Sequence, residues 1–348
     1  MKAQRLHRIT DLREDAEPLV LEEVPDPEPG PGELLLEVAT CGVCHTELDE
    51  IEGRTPPPRL PVILGHQVVG RVVAMGEEVG REAGGEAVAA GTRVGVAWIW
   101  SACGACTFCL RGEENLCPDF RATGRDADGG YAELMTVPAD FALPIPDVFS
   151  DVEAAPLLCA GAIGYRSLRL TGLENGGPLG LTGFGGSGHQ VLKMVRHRFP
   201  DSDVHVFARN PVEREHALEL RAAWAGDTTD RAPQPHRAII DTTPVWKPVV
   251  EALANLEPGG RLVINAIRKE DDDQEVLLEL DYAEHLWMER EIKSVANVTR
   301  RDVREFLDLA AEIGLRPDTE EFGLEEANRA LQELKTGKIR GAKVLRVG

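Results

Sequence analysis

Between Leu19 and Val96 apolar and polar positions alternate in short runs that Pro and Gly keep interrupting. Residues 19–40 carry Leu34, Leu36 and Val38 at period two, broken upstream by Pro25, Pro27, Pro29, Gly30, Pro31 and Gly32. Such alternation predicts strands joined by tight turns. Val62-Ile63-Leu64, Gln67–Met75 and Arg93–Val96 read as further strands. Pro56–Pro58 reads as an extended connector, and the Gly- and Ala-rich run Gly80–Gly91 as a surface loop.

Beyond about residue 160 the texture changes. Leu179–Thr182, Val204–Phe207, Ala238–Asp241 and Arg261–Ala266 are short continuous apolar runs, the pattern of strands buried on both faces. Helical periodicities lie between them: Val191, Leu192, Met194 and Val195 up to Pro200, then Asn210-Pro211 through Trp224, then Trp246–Asn255. Strand and helix in alternation predict a doubly wound parallel sheet. Helices over Arg301–Ile313 and Leu324–Lys335 and a closing strand Ala342–Val347 are expected to return to the first domain.

Composition sets the limits. The chain has 348 residues, room for two domains, with 43% hydrophobic and 28% charged residues. A formal charge of -21 argues against nucleic acid or an anionic membrane as partner, because both need a basic surface. The N-terminus has no apolar run of signal-peptide length and no stretch is long enough to span a membrane, so a cytoplasmic protein is expected. Of seven cysteines, four crowd into residues 103–117, which in such a compartment points to metal rather than disulfides.

Three constellations carry chemistry. The first is Gly42-Val43-Cys44-His45-Thr46-Glu47, read as a loop after the Leu34–Val38 strand. Its thiol suits Zn²⁺, and a catalytic zinc takes about three protein ligands plus an open position. His66, in Gly65-His66-Gln67, and Cys159, in Leu158-Cys159-Ala160-Gly161, are the best candidates for the other two. The second is Cys103, Cys106, Cys109 and Cys117, spaced C-x2-C-x2-C-x7-C, which suits a closed four-thiolate zinc site with a structural role. The third is Gly183, Gly185, Gly186, Ser187 and Gly188 around Phe184, a G-x-G-x-x-G turn between a strand and a helix, the context a dinucleotide-binding loop requires. The following strand ends Phe207-Ala208-Arg209 with no acid to take a ribose 2′-hydroxyl, and Arg209 leans the choice to NADP(H), with NAD(H) the alternative.

Together these motifs resemble the zinc-dependent medium-chain alcohol dehydrogenases, in a bacterial branch, over nearly the whole chain. The resemblance implies a GroES-like, β-rich catalytic domain (1–158 and 294–348) and a Rossmann-type doubly wound domain (159–293). It implies two zinc ions per chain: a catalytic one on Cys44, His66 and Cys159, and a structural one on the four-cysteine lobe. Thr46 matches the hydroxyl that meets the substrate oxygen, and His45 a residue near the cofactor pyrophosphate. The resemblance also implies an alcohol or aldehyde substrate and a homo-oligomer, dimer or tetramer. Cys41, three residues before Cys44, is read as a packed thiol, and Trp98 and Trp100 as lining a substrate pocket or filling core.

Four positions depart from the family pattern. Gln67 stands where Glu is usual, Glu47 where Asp orients the ligand His, Asp49 where a His finishes the proton relay, and Ile163 where Thr is frequent. Asp49 is the candidate to replace that relay group. A catalytically weak nucleotide-binding sensor or scaffold of the same fold is the alternative these departures raise.

Overall fold

The computed structural model describes residues 1–79, 82–83, 86–337 and 341–348. Gly80, Arg81, Gly84 and Gly85 of the expected Gly80–Gly91 loop lie outside the described residues; Glu82–Ala83 and Glu86–Ala87 pair antiparallel. Chain contacts divide the protein into two units, Met1–Cys159 with Val298–Gly348, and Ala160–Asn297. These boundaries differ by a few residues from 158/159 and 293/294. Strand Glu291–Ser294 hydrogen-bonds to Leu256–Ile264, and Val295 N donates to Ile264 O, which keeps that stretch with the second unit.

The first unit is organised on the strand Glu33–Val43. Its buried side, with Leu34, Leu36 and Val38 at 0–1% exposure, is the alternation seen in the sequence. Val68–Met75, Leu134–Pro138 and the C-terminal strand Ala342–Arg346 all pair with it antiparallel, within a seven-stranded sheet. The register matters for function. Cys41 lies opposite Val68 on one flank and opposite Leu345 on the other. Cys44 therefore leaves the sheet three residues after Cys41, and His66 enters two residues before Val68, at the same end. The expected loop is a loop only to Cys44: His45–Ile51 is a helix.

The second unit holds six parallel strands in the order Trp224–Gly226, Val204–Phe207, Leu179–Thr182, His236–Asp241, Leu256–Ile264, Glu291–Ser294. The chain winds outward in both directions from Leu179–Thr182, so the order reverses beside that strand. The helix expected to run to Trp224 stops at Glu219. Arg221 takes a positive φ of 67°, and Trp224 opens an edge strand whose ring packs edge-on against Phe207 at 5.2 Å. Helix Lys247–Leu253 is shorter than expected, and the next strand starts earlier, at Leu256, running through the Pro258-Gly259-Gly260 turn to Ile264.

A pair of histidines sits inside this apolar sheet. His205 and His236 face each other across the central strand, His205 Nδ1 to His236 Nε2 at 3.0 Å. His236 Nδ1 lies 3.1 Å from Asn255 O, so it carries the proton there, and Nε2 accepts from His205 Nδ1–H. Burial pushes His236 from 6.5 down to about 4 and lowers His205 as well. An imidazole depressed in the fold binds more protons when unfolded, so its contribution is complete above about 6.5 and fades as pH falls toward the folded value. His236→Asn should flatten the fall in unfolding free energy between pH 7 and 4, by at most about 3 kcal/mol. Urea unfolding at a series of pH values measures it; an unchanged acid slope would show that the pair does not titrate on unfolding.

Candidate active site

Helix His45–Ile51 is only seven residues long, too short to hold by propensity alone, and its start is fixed by side chains. Cys44 is its N-cap: Sγ accepts from Thr46 N at 3.4 Å, while Cys44 N donates to Glu47 Oε2 at 2.8 Å. This is a capping box with sulfur in place of hydroxyl. The other oxygen of the same carboxylate, Glu47 Oε1, sits 2.6 Å from His66 Nδ1. With Nδ1 turned to Glu47, His66 presents Nε2 to the two thiols, where it can donate a lone pair once deprotonated. That nitrogen stands 3.5 Å from Cys44 Sγ and 3.5 Å from Cys159 Sγ. Gly65, at φ +97°, lets His66 in: a Cβ there would lie 2.4 Å from Tyr131 Cδ1.

Cys159 arrives by a different device. Ser150 caps the helix Asp151–Pro156, whose end opens into a π turn over Leu157–Gly161 that carries the thiol. Such turns re-aim single side chains. Zinc bonds of ~2.3 Å to sulfur and ~2.0–2.1 Å to nitrogen set tetrahedral S and N ligands ~3.6 Å apart, the spacing seen here. The electrostatics fit a cation too. The neighbouring Cys159, burial and the charge of Glu47 all hold the Cys44 thiol well above its ordinary value. For His66, burial opposes the proton, but Glu47 and Cys44 outweigh it and raise its pKa well above the ordinary value. Glu47 thus draws positive charge to this group, which a proton on His66 or a divalent ion supplies.

The sulfurs of Cys103, Cys106, Cys109 and Cys117 form a second group, all within 4.8 Å of one another. Cys103–Cys109 and Cys106–Cys109 are 3.9 and 3.5 Å apart. Backbone donors surround them: Cys106 N to Cys103 Sγ at 3.4 Å, Cys103 N and Asp119 N to Cys117 Sγ at 3.4 and 3.3 Å. Donors from Ala105 and Cys106 bring Cys103 down to about 7, while burial and the Cys106 sulfur push Cys109 up to about 12.

In the second unit Gly183 turns the chain at φ +76° and Gly185 opens helix Gly186–Arg198. No side chain caps that helix, its first turn has no acid, and a Cβ on Gly185 or Gly186 would meet nothing within 4 Å. Free space before uncapped N–H groups suits a phosphate. A Cβ on Gly188 would come 2.9 Å from Gly183 O, and Ser187 Oγ donates to Ala160 O at 3.2 Å. Arg209 is exposed just beyond Val204–Phe207. The sequence reading missed Glu213, whose carboxylate accepts from Phe184 N at 3.4 Å. Its signal was an acid in the first turn after the Asn210-Pro211 cap.

Comparison with known proteins agrees with this chemistry. Residues 30–147 match the model of the alcohol dehydrogenase GroES-like domain. A probable alcohol dehydrogenase, AdhA, of Mycobacterium tuberculosis (strain CDC 1551 / Oshkosh) is 49% identical over 319 residues, covering 92% of this chain and 90% of that protein. The chain belongs to the zinc-dependent medium-chain alcohol dehydrogenase family. It is an oxidoreductase that moves a hydride between an alcohol and a nicotinamide cofactor. An alcohol dehydrogenase of Geobacillus stearothermophilus is 34% identical, covering 94% of this chain and 96% of its own. In fold the chain is also similar to a cinnamyl alcohol dehydrogenase of Sorghum bicolor, at TM-score 0.81 and 26% identity, covering 99% and 97% of the two chains. Among the described residues no helix is long and apolar enough to cross a membrane.

The remaining sequence candidates fall in different places. Thr46 is half-buried beside Cys44, and His45 is exposed. Asp49 is buried, with Arg54 Nε donating to its Oδ1 at 2.5 Å, so this carboxylate already holds a cation. Gln67 is buried against Gly42, and Cys41 is a core thiol outside the ligand group. Trp98 packs on Phe120 at 5.2 Å; Trp100 lies under Arg121 at 4.4 Å and lines a cavity that includes none of the three ligands. Removing the carboxylate in Glu47→Ala should weaken metal retention at Cys44, His66 and Cys159 roughly 10–100-fold, with the four-cysteine lobe unaffected. Chelator competition followed by metal analysis measures it, and unchanged retention would show that Glu47 does not orient the ligand.

Proposed function

We propose a zinc- and NADP(H)-dependent alcohol dehydrogenase or aldehyde reductase in which Cys44, His66 and Cys159 hold the catalytic metal. The observation that carries this is the convergence of their ligand atoms within 4.8 Å, one from each of three separate segments. Cys103, Cys106, Cys109 and Cys117 would hold a second, structural zinc, giving two per chain. Bound in the first site, zinc acts as a Lewis acid toward the substrate oxygen, easing loss of the alcohol proton or polarising a carbonyl. The chain's own groups do the rest. Glu47 fixes the His66 tautomer. Thr46 donates to or accepts from the substrate oxygen and passes its proton toward solvent. Asp49, tied to Arg54, is a weaker relay group than the sequence suggested, and His45 is the exposed group closest in sequence to Thr46.

The glycine turn with its helix N-terminus takes the pyrophosphate, through Gly183, Gly185, Gly186, Ser187 and Gly188. Arg209, with no acid at the end of its strand, supports a 2′-phosphate. Initial rates with NADPH and NADH across short and aromatic aldehydes test the assignment. NADPH should give the higher kcat/KM, and Arg209→Ala should cost NADPH roughly tenfold, the size of one lost charged hydrogen bond, with little effect on NADH. Cys44→Ser should abolish turnover in a folded protein that keeps its structural metal. A Cys44→Ser enzyme at full activity would refute the metal assignment.

A homo-oligomer is the further part of this reading. Glu291–Ser294 is an edge strand exposed along its length, and Ile292, Trp287 and Tyr282 are exposed large apolar side chains in that region. Exposed edges of this kind recruit a second strand. Sedimentation velocity should find a dimer or tetramer, converted to smaller species by Ile292→Lys; a monomeric wild type would contradict it.

A further inference from the structure

Ligands of a doubly wound sheet bind beyond the carboxyl ends of its strands, where the strand order reverses. Asp241 ends the His236–Asp241 strand at that reversal, beside Thr182, and is completely buried. Its carboxylate is fully engaged. Oδ1 accepts from Thr182 Oγ1 at 2.6 Å and Thr243 Oγ1 at 2.7 Å, and Oδ2 from Lys269 Nζ. Lys269, 7% exposed, spends its other donors on Thr243 O at 2.7 Å and Val245 O at 3.0 Å. All three ammonium protons are accounted for.

This pair fastens two loops to the glycine turn. The loop after Asp241 reaches back: Thr242 donates both N and Oγ1 to Thr182 O, at 3.0 and 2.9 Å. A Cβ on Gly183 would come 2.8 Å from Thr242 Oγ1, so loop and turn are in contact. The segment after the next strand, carrying Lys269, folds over that loop, with Glu270 N donating to Pro244 O at 2.7 Å. A buried ion pair is a poor way to gain stability, because desolvation offsets most of the attraction. It does fix geometry, since few arrangements satisfy every donor and acceptor.

We infer that the Lys269–Asp241 pair is a positioning device for the nicotinamide-bearing half of the dinucleotide, resting on the reading of this unit as its binding site. A doubly wound sheet takes the two mononucleotide halves on opposite sides of the reversal. Arg209 and Val204–Phe207 lie on one side, and Asp241 with both clasped loops on the other. Loss of the pair should therefore weaken the whole dinucleotide selectively and leave an adenosine-only ligand alone.

The test titrates NADPH by fluorescence and 2′,5′-ADP by calorimetry, with NADH and 5′-AMP as a second matched pair. The proteins are the wild type, Lys269→Met, Lys269→Arg, and the double variant Lys269→Met/Asp241→Asn, which leaves no orphaned buried charge. The expected result is a dinucleotide Kd raised tenfold or more in Lys269→Met and the double variant. The Kd of the adenosine-only ligand should stay within twofold, which also reports a folded unit, and Lys269→Arg should recover most of the loss. Unchanged dinucleotide binding in the double variant overturns the inference, as does equal weakening of both ligands. A wild type that binds neither dinucleotide overturns the binding-site reading itself.

Discussion

One carboxylate, that of Glu47, joins the two halves of the ligand group. One oxygen closes the cap of the short helix that Cys44 begins, and the other pairs with His66 Nδ1 at 2.6 Å. The sheet register delivers Cys44 and His66 to the same end of neighbouring strands, but only the strands' ends, not the directions of their side chains. Without the cap, a seven-residue helix has little reason to start at Cys44. Without the bond to Nδ1, the imidazole has two tautomers and no fixed face. The extra methylene of Glu over Asp has a use here, because a single side chain spans from the helix start to a ring on the adjacent segment.

Much of this was legible because metal chemistry and backbone geometry leave local marks. The four-cysteine spacing, the Gly65-His66 pair and the glycine turn are each fixed by short-range requirements, and the structure puts their atoms together. Period-two alternation placed Glu33–Val43, and continuous apolar runs placed the parallel strands. The helix at His45–Ile51 was hidden because Cys is not a usual cap and Thr46 favours extended backbone; sulfur acting as a hydroxyl has no periodicity to read. The π turn at Leu157–Gly161 is a departure from helical hydrogen bonding that no residue type announces. Helix Pro211–Glu219 ends before the positive φ of Arg221, and Trp224 packs on Phe207 from a strand, a tertiary contact that helical periodicity does not show.

The two units share one kind of buried charge. A buried ammonium in each is paired with carboxylate. Lys343, 2% exposed, gives its ammonium to Glu320 and Glu333 at 2.8 Å each. Asp241 and Lys269 do the same at the carboxyl edge of the parallel sheet. Glu47 stands apart, because the histidine it holds offers its free nitrogen to two thiols that are themselves costly as buried anions.

The carboxylate behind His66 adds to the convergence of ligand atoms as support for the proposal that Cys44, His66 and Cys159 form a working centre. Neutral thiols at this spacing need no carboxylate behind the histidine, and a stability device would place an apolar residue there. Glu47 adds negative charge beside buried thiols, holding a proton on His66 and raising the Cys44 thiol, so the group favours positive charge, which a proton or a metal ion supplies. Gln67, next to His66 in the chain, is buried and neutral. On the proposed ligand assignment Glu47 supplies the acid beside the site and its neighbour Gln67 is neutral, so the departures at positions 47 and 67 are read together.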